Sequence, residues 1–162
     1  MFLDRDGTIN AKASTGNYIE AAAEVELLPG AAAAIRDVND RGLRSIVVTN
    51  QRGVALGRMS EAAVHQIHAR LNELLATVAG AWIDLFLYCP HDIDECTCRK
   101  PDTGMFAAAK RRWPDLDFTR SAMVGDSPSD VEAGETLGMA TVLLPRDAPD
   151  LAGAIRELLD AG

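Results

Sequence analysis

Basic residues are in short supply in this chain: 16 Lys and Arg stand against 24 Asp and Glu, a net charge of −8 with a pI near 4.8. That balance gives no long-range attraction to nucleic acid or anionic lipid, so neither is an expected partner. A phosphorylated ligand would need a local cluster of cations or a metal, and a small ligand is expected. Long apolar runs are missing too. None approaches the ~20 residues of a membrane span, and no cationic, apolar leader precedes Asp4, so a cytoplasmic protein is expected. Cysteine is rare and crowded: Cys89, Cys96 and Cys98 are the only three, all within ten residues, a pattern that disulfides in a cytosolic chain explain poorly. Repeats and low-complexity linkers are absent. With 162 residues and 48% hydrophobic content, residues 1–162 make one domain with a real core and leave no room for a second. Nothing signals an oligomer, and a monomer is expected.

What is present is an alternation of apolar runs and amphipathic segments. Phe2-Leu3 leads straight into Asp4-Arg5-Asp6-Gly7-Thr8, so two carboxylates stand where a buried strand gives way to a turn. Ile9 to Glu26 lacks a helical stripe and reads as a loop or short hairpin. Pro29-Gly30 opens a helix over Ala31 to Asp40, and Leu43 to Asn50 predicts a second strand with the polar tip Thr49-Asn50. After a Gly-rich loop, Val64, Ile67, His68, Leu71, Leu74, Leu75 and Val78 recur at helical spacing and predict a long helix with one apolar stripe. Further strands are predicted at Trp82 to Tyr88, Ser121 to Gly125 and Thr141 to Leu144. Helices are predicted at Gly104 to Arg112, Val131 to Leu137 and Leu151 to Leu159. This order predicts a three-layer, Rossmann-like α/β domain with a mainly parallel sheet and right-handed crossovers.

Parallel strands put their carboxyl ends on one edge, where such folds bind ligands. Asp4 and Asp6, Thr49 and Asn50, Arg99 and Lys100, and Asp126 with Asp130 all follow predicted strands, so they converge although they span most of the chain. Acids from two strands suit Mg²⁺, a hard cation that prefers oxygen. A hydroxyl, an amide and a lysine add donors for the oxygens of a transferring phosphoryl group.

The pattern resembles the haloacid dehalogenase (HAD) superfamily of phosphatases. The likeness is carried by Asp4-x-Asp6-Gly7-Thr8, Thr49-Asn50 after an apolar strand, Lys100, and Gly125-Asp126 with Asp130, and covers essentially the whole chain. More narrowly, Asp4 to Asn10, Thr49-Asn50-Gln51 and Cys98-Arg99-Lys100-Pro101 resemble the group acting on D-glycero-D-manno-heptose 1,7-bisphosphate, close to the histidinol-phosphate phosphatases. The resemblance implies a HAD-type hydrolase that removes the 7-phosphate through an aspartyl-phosphate, with histidinol phosphate or another small phosphomonoester as the alternative substrate. It implies Asp4 as nucleophile, Asp6 as acid and base, and Mg²⁺ between Asp4, the backbone carbonyl of Asp6 and Asp126. Thr49 and Lys100 would hold phosphoryl oxygens and Asp130 would support Lys100. No segment is long enough for a separate cap domain, so an open site is expected. A non-catalytic phosphate-binding module is disfavoured by the presence of both Asp4 and Asp6.

Cys89-x-His91-x4-Cys96-x-Cys98 supplies three thiolates and an imidazole, the Cys₃His set of a tetrahedral structural zinc site in a loop over 89–98. Four protein ligands leave no open position, so the zinc would order a loop too poor in apolar residues to order itself. Asn50, Arg52, Arg58 and Arg99 are candidates for the rest of the substrate, the guanidinium groups suiting a second phosphate. The family commonly carries a serine where Arg52 stands, an arginine where Leu56 stands and a lysine where Ser127 stands, so the cations around the substrate are rearranged here. His65 and His68 read as surface and packed imidazoles respectively.

Overall fold

In the computed structural model, which describes residues 1–161, successive residues of each strand face opposite layers. β1 (Phe2–Leu3) lies between β2 (Ile46–Asn50) and β4 (Ala122–Gly125), with β3 (Leu85–Cys89) and β5 (Ala140–Leu143) outside them. The order is β3-β2-β1-β4-β5 and every pairing is parallel. Leu3, Val47 and Val124 pack against α1 (Ala31–Asp40), α2 (Glu61–Ala79) and α5 (Leu151–Asp160) on one face. Phe2, Ile46, Val48 and Met123 pack against α3 (Gly104–Arg112) and α4 (Pro128–Thr136) on the other. The three-layer expectation holds, with the acid-bearing strand at the centre. Among the described residues nothing forms a second domain over the strand ends, and no helix is long and apolar enough to cross a membrane.

Helices α1 and α3 have the predicted bounds. Strands β2 to β5 and the other helices shift by a residue or more at one or both ends, and four differences have an identifiable physical reason. The strand expected from Leu43 begins at Ile46, because Gly42 turns with a left-handed φ of 68° and leaves Leu43 exposed. The strand expected from Trp82 begins at Leu85, because the backbone of Trp82 is taken by Asn39 and Ser45 and its ring lies beside Arg36. The stripe of α2 ends at Leu75, and Val78 is 66% exposed two residues before Gly80 closes the helix. The helix expected from Val131 starts at Pro128, where proline costs no helical hydrogen bond and the Asp130 carboxylate accepts from Ser127 N–H. That last difference puts Asp130 in the first turn of α4, directly below the tip of β4.

Candidate active site

The end of β1 is anchored on both sides. Asp4 N–H donates to the carbonyl of Val124, while Val48 of β2 offers its carbonyl to Lys100 Nζ at 2.6 Å. Lys100 has 3% of its surface exposed and meets Asp4 Oδ1 at 2.9 Å and Asp130 Oδ1 at 2.5 Å. Its backbone is held by Asn50, which accepts from Lys100 N–H and donates to Lys100 C=O. Burial alone would strip the charge from this ammonium, but Asp4 and then Asp130 hold its pKa above the ordinary lysine value. For Asp130, burial and then repulsion from Asp4 push the carboxyl up to about 6 despite Lys100. Two acids and one lysine thus share a nearly dry pocket.

Asp6 is placed differently. Its Oδ1 accepts from Arg5 Nε at 3.0 Å and Asn10 Nδ2 at 2.8 Å, and its Oδ2 from Arg5 Nη2 at 2.7 Å and Gln51 Nε2 at 3.0 Å. Burial favours its neutral form, but the Arg5 charge and these donors lower its pKa below the usual carboxylate range. Arg5 is fully buried, and Gln51 also donates to Thr49 Oγ1, so it ties Asp6 to the hydroxyl of β2. Sequence reasoning passed over Arg5, Asn10 and Gln51. The available signal was an arginine between two acids in an apolar setting, a charge that can be buried only if an acid pairs with it.

Asp4, Asp126 and Asp130 each bring a carboxylate oxygen within 4.8 Å of the other two. Asp126 Oδ1 is buried without a hydrogen-bond partner, and burial raises the pKa of this carboxyl although Lys12 Nζ lies 2.5 Å from its other oxygen. Crowded, oxygen-only donors with an orphaned lone pair are what a hard divalent cation such as Mg²⁺ fits. The side chain of Asp6 lies outside this cluster. Gly125 is required beside it, because any Cβ there would overlap the Asp130 carboxyl.

The cleft has a volume near 210 Å³, lined by Asp4, Asp6, Thr49, Asn50, Lys100 and Asp126, with Lys12, Arg99, Ser127, Ser129 and Asp130 completing its wall. Arg99 therefore reaches the site, and its Nη1 is buried without a partner. Arg52 and Arg58 do not line the cleft. Arg52 pairs with Asp92 of the cysteine loop and Arg58 with Glu20 of the 10–20 loop, so both tie the 51–59 loop to its neighbours. His65 contacts Tyr88 near the surface, while His68 is buried and stacked on Phe86 at 4.5 Å.

Beyond β3 the predicted cysteine cluster assembles. Sγ of Cys98 lies 3.1 Å from Cys89 and 3.2 Å from Cys96, Cys89 and Cys96 are 3.4 Å apart, and His91 Nδ1 is 3.2 Å from Cys98. A tetrahedral ion with bonds of ~2.3 Å to sulfur sets sulfur–sulfur edges of ~3.8 Å, a few tenths of an ångström longer. Burial and then the neighbouring sulfurs push the Cys98 thiol above its ordinary range, so three thiolates need a cation among them. The group has the composition and closeness of a metal site.

A family profile described as HAD-hydrolase-like matches residues 97–153. The D-glycero-β-D-manno-heptose-1,7-bisphosphate 7-phosphatase of Rhodopseudomonas palustris is 40% identical over 85% of this chain and 78% of its own length. The corresponding α-named enzyme of Mycobacterium bovis is 42% identical over 86% of this chain and 73% of its own length. The crystal structure of D,D-heptose 1,7-bisphosphate phosphatase from B. bronchiseptica, complexed with magnesium and phosphate, superposes with a TM-score of 0.89 at 31% identity, covering 100% of this chain and 98% of that one.

Proposed function

Because this chain belongs to the HAD-like hydrolases, we propose that it is a Mg²⁺-dependent phosphatase that removes the 7-phosphate of D-glycero-D-manno-heptose 1,7-bisphosphate. The observation that carries this reading is the pairing of Asp4 with Lys100 beside the Asp126 carboxylate, at the mouth of a small polar cleft. The likeness to enzymes named for this substrate, one of them solved with magnesium and phosphate, supports it. The relatives' names differ in anomer, so the anomer is left to the assay.

Asp4, paired with Lys100, would attack phosphorus and form an aspartyl-phosphate, splitting one hard hydrolysis into two easier steps. Asp126 and Asp4, with the backbone carbonyl of Asp6, would hold Mg²⁺, which would offset the repulsion between an anionic nucleophile and an anionic phosphate. Thr49 Oγ1 and Lys100 Nζ would bind the non-bridging oxygens as charge moves onto them. Asp130 would keep Lys100 in place.

Asp6 would hand a proton to the departing sugar oxygen and later take one from water. The charge of Arg5 and the donors around Asp6 favour its ionised form in the free site, so Asp6 would first take up a proton from solvent, as the arriving dianion raises its proton affinity, and then pass that proton to the sugar oxygen. Asn50, whose amide holds the Lys100 backbone, would position that loop rather than bind the substrate, and Arg99, with an unpartnered nitrogen, would meet the second phosphate. Arg52 and Arg58 would join only by leaving Asp92 and Glu20. The cluster of Cys89, His91, Cys96 and Cys98 would hold structural Zn²⁺, fixing the loop that delivers Arg99 and Lys100.

Phosphate release should be followed over both heptose bisphosphate anomers, histidinol phosphate and simple sugar phosphates, with Asp4→Asn alongside. The expected result is a clear preference for one heptose bisphosphate and a loss of at least ~10³-fold in Asp4→Asn. Wild-type turnover in Asp4→Asn would overturn the mechanism, and a preference for histidinol phosphate would overturn the substrate.

A further inference from the structure

Lys12 has no role in the chemistry above, yet it stands in the cleft. Its stem crosses Gly7, where a Cβ would come within 2.7 Å of Lys12 Cε and overlap the Asp126 carboxylate. With a φ of 87° and no side chain, Gly7 opens the space through which Nζ reaches Asp126 Oδ2 at 2.5 Å. The two partners are unequal: 52% of the lysine side chain is exposed against 14% of the aspartate, so the ammonium can withdraw without disturbing the core. It also borders a second cavity of about 260 Å³ under the 13–19 loop, which shares Asp6, Lys12 and Asn50 with the cleft. Among the described residues Lys12 is the only cationic side chain lining that cavity, whose walls include Ser14, Thr15 and Asn17.

A divalent cation at Asp126 and an ammonium on the same carboxylate compete for negative charge and repel each other. The flexible four-carbon stem lets Nζ leave and still stay tethered at the junction of the two cavities. We propose that Lys12 is an exchangeable counter-ion. It neutralises Asp126 beside Asp4 and Asp130 until a divalent metal takes that carboxylate, and then turns into the second cavity to hold an anionic oxygen of the substrate's non-reacting end. Metal loading thereby creates part of the substrate site, and the two ligands bind synergistically. This inference rests on Asp126 as a metal ligand.

The test is Mn²⁺ titration of the full chain, followed by the electron paramagnetic resonance signal of the free ion, for wild type, Lys12→Met, Lys12→Arg and Asp126→Asn. With the competing charge removed, Lys12→Met binds Mn²⁺ about two- to fivefold more tightly, as expected for a half-exposed ion pair, and Lys12→Arg returns to the wild-type value. In turnover at saturating metal, Lys12→Met raises KM for the bisphosphate several-fold more than it lowers kcat. Equal or weaker Mn²⁺ binding by Lys12→Met overturns the counter-ion role, and an unchanged KM overturns the substrate contact. Should Asp126→Asn bind Mn²⁺ as well as wild type, the metal reading of Asp126 fails first and this inference with it, an outcome the lysine variants cannot mimic. Because Lys12 lies on an exposed loop, circular dichroism of all variants should match wild type.

Discussion

Replacing Lys100 by methionine offers the sharpest test of how the site is held together. Among the described residues the ammonium is the only cation in contact with Asp4 and Asp130, which have 8% and 1% of their surface exposed. Removing one partner of a buried ionic group costs about 3–5 kcal/mol when the remaining charges stay uncompensated. For a domain of this size that corresponds to a fall in Tm of roughly 6–20 °C. The two carboxylates can escape part of the cost by sharing a proton. The carboxyl of Asp130 already sits at about 6, above the ordinary value of 3.8. A carboxyl raised in the folded state lowers stability above its folded pKa, and that penalty fades as pH falls towards the unfolded value. Without Lys100 the folded pKa rises further. The deficit of Lys100→Met should therefore be largest at pH 8, shrink at pH 5, and shrink again at pH 8 when millimolar Mg²⁺ supplies the missing charge. Urea unfolding of both proteins at the two pH values, with and without Mg²⁺, measures this directly. A deficit that ignores both pH and Mg²⁺ would refute the argument and assign the loss to packing and the Val48 hydrogen bond.

Two other outcomes are expected. Burial and then the Arg5 charge depress His68 to about 3 from an ordinary 6.5, so the unfolded chain binds a proton there that the folded one does not. Its stabilising share is complete above pH 6.5 and is lost on acidification at about 1.4 kcal/mol per pH unit, so roughly 2 kcal/mol should go between pH 6.5 and 5. His68→Phe should flatten that part of the urea-midpoint profile, and an unchanged slope would contradict the assignment. Protein never exposed to chelator should carry about one zinc per chain by mass spectrometry, and stripping it should expose the 89–98 loop to proteolysis and reduce turnover. Well under one zinc in such protein would remove the proposed metal from the Cys/His cluster.

Much of the site was legible because its residues sit at predictable places. Apolar runs announce buried parallel strands, and the polar residue that ends each run lies on the ligand edge whatever the intervening chain does. For the same reason the sequence order of Asp4, Thr49, Lys100 and Asp126 needed no spatial knowledge to be grouped. Arg52 and Arg58 show the limit. Their loop follows the tip of β2, but whether a guanidinium faces the cleft depends on which acid lies within reach, and Asp92 and Glu20 come from two other loops. Trp82 and Val78 misled for a related reason: an apolar residue near an element's end extends the pattern, although its neighbours in space decide whether it is covered.

By itself, then, the sequence determined the alternation of strands and helices, the polar strand tips that meet at one edge, and the carboxylate and Cys/His groups of which the proposed metal sites are built. These follow from periodicity, turn residues and ligand type, which are local properties. Only the tertiary structure decided which charge meets which. It set Lys100 between Asp4, 96 residues away, and Asp130, locked Asp6 with Arg5, Asn10 and Gln51, and laid Lys12 across Gly7 onto Asp126. Coulomb energy and desolvation depend on distances of a few ångströms, and the sheet order, rather than the spacing along the chain, sets those distances.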